Sequence, residues 1–169
     1  MSTEQAAVIY ELGALSLTEF ETPRGKRILL DMGSDAVLIV PRTKDGKYIL
    51  TVQNRIGSSE EVYEFPSGGI HPGESPEAAA ARELLEETGA TANLKFLAKT
   101  EPLSGLVKFN IYIFLADIAS VSEDTKNLEE HEEVSTVEFT KEELLQKIGS
   151  LKTVDGYILL GLGAIATVS

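Results

Sequence analysis

Apolar and polar positions follow two rhythms along this 169-residue chain, and the changes between them mark its elements. Residues 14–21 and 27–31 read as extended stretches joined by Thr22-Pro23-Arg24-Gly25, where Pro and Gly favour a tight turn; together they predict a β-hairpin arm. A lone hairpin is marginal in water, so this one must pack on the rest of the chain or on another subunit. Residues 36–40 and 48–52 are continuous apolar runs separated by Lys44-Asp45-Gly46, the pattern of two central strands with a turn between them. Residues 94–99 and 109–116 carry β-formers such as Ile111, Tyr112 and Phe114 and predict a further strand pair, linked by Glu101-Pro102-Leu103-Ser104-Gly105.

The rhythm becomes helical after Ser75. Ser75 is a good N-cap, Pro76 occupies the first helical position, Glu77 faces the positive end of the dipole, and Gly89 ends the helix. At 3.6 residues per turn, Glu83, Glu86 and Glu87 share one face, with Leu84, Leu85, Ala81 and Thr88 roughly opposite. Thr140 and Glu143 form a capping box for a helix to Ile148, and Asp155 can cap a last helix running through Ala166. Between the strands and these helices lie a polar stretch, 120–126, and an acidic one, 128–134, ahead of a final strand. The expected architecture is α/β, a mixed sheet between helices, with residues 1–33 as the arm and 34–169 as the main domain.

Composition narrows what such a domain can do. With 43% hydrophobic and 25% charged residues the chain can bury an ordinary core. A net charge of -12 disfavours nucleic acid and anionic membranes as partners and favours cations. The absence of cysteine excludes disulfides, thiolate catalysis and Cys-based zinc sites. The opening residues contain no apolar signal segment and no stretch is long enough to span a membrane, so the expected location is cytoplasmic.

Acidic residues on a helix are most often a solvated face, with pairs such as Arg82 and Glu86 at i,i+4. Their spacing here carries more. Gly68, Glu74, Arg82, Glu83, Leu84, Glu86, Glu87 and Gly89 match the pattern G-x5-E-x7-R-E-U-x-E-E-x-G-U, and only the last apolar position is small, at Ala90. Clustered carboxylates repel one another unless a cation sits among them, and Glu83 and Glu87, one turn apart, suit Mg²⁺, a hard ion completed by water and phosphate. This pattern resembles the signature of the Nudix hydrolases, which implies the Nudix fold, an α/β/α sandwich, and metal-dependent attack of water on a diphosphate.

The segments around the box narrow the resemblance. Gln53 and Arg55 match a Q-x-R element and Glu64, Pro66 and Gly68 an E-x-P-x-G element, both similar to ADP-ribose and nucleoside-diphosphate-sugar pyrophosphatases. That likeness implies Glu83, Glu86, Glu87 and the Ser67 carbonyl around the metal, Mg²⁺ or Mn²⁺, with Arg82 orienting a glutamate. Gln53, Arg55, Glu64 and Arg27 would face the substrate. In the acidic segment it implies Glu130 as general base and Glu132 as a further metal ligand; Glu129 and Glu133 stay open as alternatives. It further implies a homodimer through the arm and a nucleotide-sugar substrate, ADP-ribose foremost. Where those enzymes often carry Pro-Gly, this chain has Pro102-Leu103. A Nudix pyrophosphatase for nucleoside triphosphates, dinucleoside polyphosphates or capped RNA is the alternative, and an inactive sensor module a third reading. His71 and His131 read as loop surface, and Gly161-Leu162-Gly163, inside an apolar helix, as packing rather than a dinucleotide fingerprint.

Overall fold

The computed structural model describes residues 6–55, 58, 60–121, 134–151 and 154–167. Its central strand is β4 (Ala36–Arg42), an apolar run whose alternate side chains enter two cores. Val37 and Ile39 pack on one face with Ile49, Phe114 and Ala116 and with Ala79, Ala80 and Leu84 of helix α1 (Pro76–Thr88). Leu38 and Val40 pack on the other with Leu50, Phe65, Ile113 and Leu115, beneath Leu144 of α2 (Lys141–Ser150) and Ile158 of α3 (Gly156–Ala166). The result is the expected three-layer arrangement, helix, mixed sheet, helices.

β10 (Ile111–Val121) runs parallel to β4, Ile111 opposite Ala36, and antiparallel to β8 (Ala90–Thr100). β5 (Tyr48–Gln53) leaves β4 by the expected turn but stays paired with it only at Arg42 and Tyr48. Beyond that point the strands part: β5 pairs with β6 (Val62–Glu64) and β11 (Ser135–Phe139), β4 with β7 (Ser67–Gly69). That split carries residues 64–69 into the gap between two strands, opposite α1.

The three helices begin as their sequences require. Ser75 Oγ accepts the Ala78 N–H at 3.1 Å, and Gly89, at φ 69°, donates its N–H to the Leu85 carbonyl at 2.8 Å, a left-handed cap that a side chain would disfavour. Both halves of the Thr140–Glu143 capping box form, and Asp155 caps α3. The packing face of α1 differs in detail from the expectation. Ala79, Ala80, Leu84 and Thr88 are buried, Ala81 is exposed, Leu85 is half-buried, and Glu87 is itself buried. Positions 80, 84, 87 and 88 follow i, i+4, i+7, i+8 and form one stripe; Ala81 is turned out of it.

In the arm, β2 (Leu15–Thr22) and β3 (Gly25–Asp31) form the expected hairpin, and β1 (Ala6–Leu12) adds a strand to its outer edge. On its inner edge β3 pairs in parallel with the short β9 (Val107–Lys108), tied by a Lys108–Asp31 ion pair of 2.6 Å. The hairpin thus docks on this chain's own 106–108 segment, while β1 keeps Val8, Ile9, Tyr10 and Leu12 exposed. Close packing also explains Gly161: a Cβ there would lie 2.8 Å from the Phe65 ring and 3.0 Å from Val40, so α3 sits nearer the sheet than any side chain allows. Among the described residues no helix is long and apolar enough to cross a membrane.

Candidate active site

Five hydrogen bonds from one guanidinium fix the box residues. Arg82 Nε and Nη2 donate to the two oxygens of Glu74 at 3.0 and 3.1 Å, and Nη2 also reaches the Gly69 carbonyl at 2.9 Å. Nη1 donates to Glu83 Oε1 at 2.7 Å and to Glu86 Oε2 at 3.0 Å. Glu74 accepts the His71 N–H as well, at 3.0 Å, and these donors, Arg82 first, hold its carboxyl down at about 2. Glu83 touches the same guanidinium yet shifts upward, because burial outweighs the attraction of Arg82 and the neighbouring Glu86 charge adds a little. The loop 69–74 and the helix are therefore clamped together by charge-assisted bonds, each stronger than a neutral one.

Beside this clamp lies a pair of carboxyl groups, Glu83 and Glu87, with too few donors. Gly68 lets the chain pass against Glu83: a Cβ there would overlap the Glu83 carboxylate. One turn on, Glu87 is 9% exposed, and its Oε2 is the buried side-chain oxygen among the described residues that lacks a hydrogen-bond partner. Burial raises its pKa to about 8, the neighbouring Glu83 charge adds to the rise, and the Ser67 backbone and Arg55 oppose it. An orphaned carboxylate oxygen is costly unless a ligand completes it. Glu83 and Glu87 are oxygen donors and so fit a hard divalent cation. Among the described residues no three side chains of His, Asp or Glu already enclose a cation-sized point, and Arg82 engages Glu83 and Glu86.

The strand ends provide a second cluster. Glu64, 7% exposed, accepts Gln53 Nε2 at 2.8 Å, Arg55 Nε at 3.1 Å and Arg55 Nη2 at 2.7 Å. Three of the four residues expected to face substrate are thus joined through Glu64, with the Arg55 side chain 44% exposed just beyond the end of β5. Arg27 is exposed on β3, opposite Phe20, and belongs to neither cluster. Glu130 and Glu132 lie outside the described residues, as does His131; His71 is exposed, as expected. A groove of about 790 Å³ separates the arm from the box loop, with Asp31 and Lys108 on one side, Gly69, His71 and Glu74 on the other, and Tyr112 beneath. The sequence reading gave Asp155 only as a helix cap and passed over Tyr157; burial raises the pKa of both, with Glu64 adding to the rise and Arg55 opposing it.

The raised pKa of Glu87 sets a pH dependence. Between about 4.5 and about 8 the folded, metal-free protein keeps a proton that the unfolded chain has lost, so stability falls as pH rises through that window. Glu74, held near 2, acts only below it. In excess EDTA the melting temperature should decline across the window by the equivalent of roughly a few kcal/mol, and Glu87→Gln should flatten most of the decline. A level wild-type profile would contradict the assignment.

Comparison with known proteins bears on the family and the fold. The NUDIX domain model matches residues 32–159. ADP-ribose pyrophosphatase of Bacillus subtilis (strain 168) is 37% identical over 150 residues, covering 83% of this chain and 78% of its own length. ADP-sugar pyrophosphatase of Mus musculus is 48% identical over 60 residues, 33% of this chain and 28% of its own. The crystal structure of an ADP compounds hydrolase shares the fold, with a TM-score of 0.79 at 23% identity over 98% of this chain and 92% of that one. With the family model spanning both clusters and the Arg82 clamp in place, the chain belongs to the NUDIX domain family.

Proposed function

We propose that this protein is a divalent-metal-dependent pyrophosphohydrolase that cleaves the diphosphate of nucleoside-diphosphate sugars, ADP-ribose foremost, to a nucleoside monophosphate and a sugar phosphate. The observation that carries the metal dependence is the buried, unpartnered Glu87 Oε2 beside Glu83. The substrate class rests on the similarity to the ADP-ribose and ADP-sugar pyrophosphatases and on the Gln53–Glu64–Arg55 cluster next to the box.

In this reading Glu83, Glu86, Glu87 and the Ser67 carbonyl hold Mg²⁺ or Mn²⁺, joined by Glu132. A divalent cation held there would supply charge neutralisation at the phosphoryl oxygens and a lowered pKa for the attacking water. Arg82 keeps Glu83 and Glu86 oriented through its bonds to Glu74 and the Gly69 carbonyl. Arg55, held by Glu64 along its Nε–Nη2 edge, points a guanidinium suited to paired hydrogen bonds with a phosphate. Glu130 removes the proton from water: a carboxylate engaged with a cation has a depressed pKa and accepts protons weakly, so the base is placed away from the box helix. Water is the nucleophile, and no covalent enzyme intermediate is needed.

The exposed apolar strand β1 supports a homodimer joined through the arm, with Arg27 of β3 reaching the partner's nucleotide. The cysteine-free composition fits a cytoplasmic setting.

Two measurements test this. Purified protein assayed for released monophosphate should show its highest kcat/KM on ADP-ribose among nucleotide sugars, triphosphates and dinucleoside polyphosphates, and none in EDTA. Glu130→Gln should lower kcat by ~10²-fold or more with KM nearly unchanged. A preference for triphosphates would reject the substrate class, and a wild-type kcat in Glu130→Gln would reject the base. Light scattering at micromolar concentration should give a dimer mass; a monomer would refute the arm's role.

A further inference from the structure

Pleat and register put Gln53 and Glu64 on one side of the sheet. Ile49 of β5 packs in the core beneath α1, so Thr51 and Gln53, two and four residues on, point to that same face. Glu64 of β6 stands opposite Thr51, and Gln53 opposite Val62, which makes Gln53 and Glu64 diagonal neighbours across the strand pair. The buried Thr51 hydroxyl donates to the Glu64 carbonyl at 3.3 Å. The next residue, Phe65, enters the opposite core with no exposed surface, edge-on to Tyr48 at 6.3 Å and directly under Gly161 of α3. Glu64 is therefore anchored through its own backbone and through its neighbour.

Its carboxylate joins two side chains at one atom. Oε2 accepts Gln53 Nε2 at 2.8 Å and Arg55 Nη2 at 2.7 Å, and Arg55 Nε lies 3.1 Å from the same oxygen and 3.2 Å from Oε1. Gln53 is only 9% exposed and Glu64 is buried as well, so neither offers substrate much surface, whereas Arg55 does. The chemistry of residue 53 suits an intermediary. A buried carboxylate needs donors, and a neutral amide supplies one without adding a cation that would compete with Arg55 for the charge of Glu64. That charge is left to grip the guanidinium through charge-assisted bonds.

We propose that Gln53 is a positioning residue for Arg55, one that acts through Glu64 and does not itself touch substrate. Gln53 fixes the Glu64 carboxylate, and the carboxylate fixes the guanidinium by its Nε–Nη2 edge, so Arg55 meets a diphosphate with its side chain already ordered. The inference rests on the proposed role of Arg55 in binding the diphosphate.

Two experiments on the full chain test it. Gln53→Met keeps the length of the side chain and removes the donor; should it not fold, Gln53→Asn, one methylene short of Glu64, is read the same way. In a proton–nitrogen correlation spectrum the Arg55 Nε–H signal, identified by its loss in Arg55→Ala, should exchange with solvent about tenfold faster in the variant than in the wild type. In steady-state kinetics, on whichever nucleoside-diphosphate-linked compound the wild type cleaves best, the variant should raise KM about fivefold with kcat altered less, and should raise it no further in an Arg55→Ala background. Unchanged exchange at Arg55 Nε–H, or a KM at or below the wild-type value, overturns the inference. So does a further rise of KM in the Arg55→Ala background, the signature of direct contact between Gln53 and substrate. Absence of wild-type turnover on every such compound would sink the functional reading instead, and the exchange measurement would still decide whether Gln53 positions Arg55.

Discussion

One guanidinium holds the box of this protein together. Arg82 bonds to Glu74, Glu83, Glu86 and the Gly69 carbonyl, so the loop before α1 and the exposed turn of α1 are placed by the same planar group. Lysine offers three donors around a point and cannot span these acceptors at fixed angles; the fork of Arg does. The clamp is short of positive charge. Three carboxyl groups, those of Glu74, Glu83 and Glu86, share one cation, and the buried Glu87, which Arg82 does not reach, is left with an oxygen that has no partner. The geometry that stabilises the loop is therefore also the geometry that leaves a cation-sized need beside it.

The sheet serves this arrangement by coming apart. Because β4 and β5 separate after Arg42 and Tyr48, β6 and β7 enter between them and deliver Glu64 on one side and Ser67–Gly69 on the other to the α1 face. Two glycines allow the close approaches this requires. Gly68 passes against the Glu83 carboxylate, and Gly161 brings α3 down on Phe65. The Arg82 clamp and the Gln53–Glu64–Arg55 cluster thus sit on or beside strands and helices whose cores are packed from both faces, which is the rigidity that a positioned site needs.

Much of this was legible in the sequence because the signals are local. The N-cap Ser75, Pro76 and Gly89 delimit α1 by short-range chemistry, and the box spacing fixes which carboxylates share a face. The capping box at Thr140 and the cap at Asp155 were readable for the same reason. What escaped reading depends on distant segments. β1 carries Val8, Ile9 and Tyr10 but no buried face, so no apolar alternation announces it. Ala81 and Leu85 looked equivalent to Leu84 on a helical wheel, yet which part of the stripe is buried depends on where β4 and β8 lie. The mutual bonding of Gln53, Glu64 and Arg55 arises only once β5 and β6 meet.

The central claim is that the anionic gap beside the Arg82 clamp is the cation site. Crystals soaked in Mn²⁺ and measured near the manganese absorption edge test it directly through the anomalous difference map. The account predicts a peak among Glu83, Glu87 and the Ser67 carbonyl, with Arg82 still bonded to Glu74. No peak there, or occupancy confined to the groove beside Asp31 and Asp35, would contradict it.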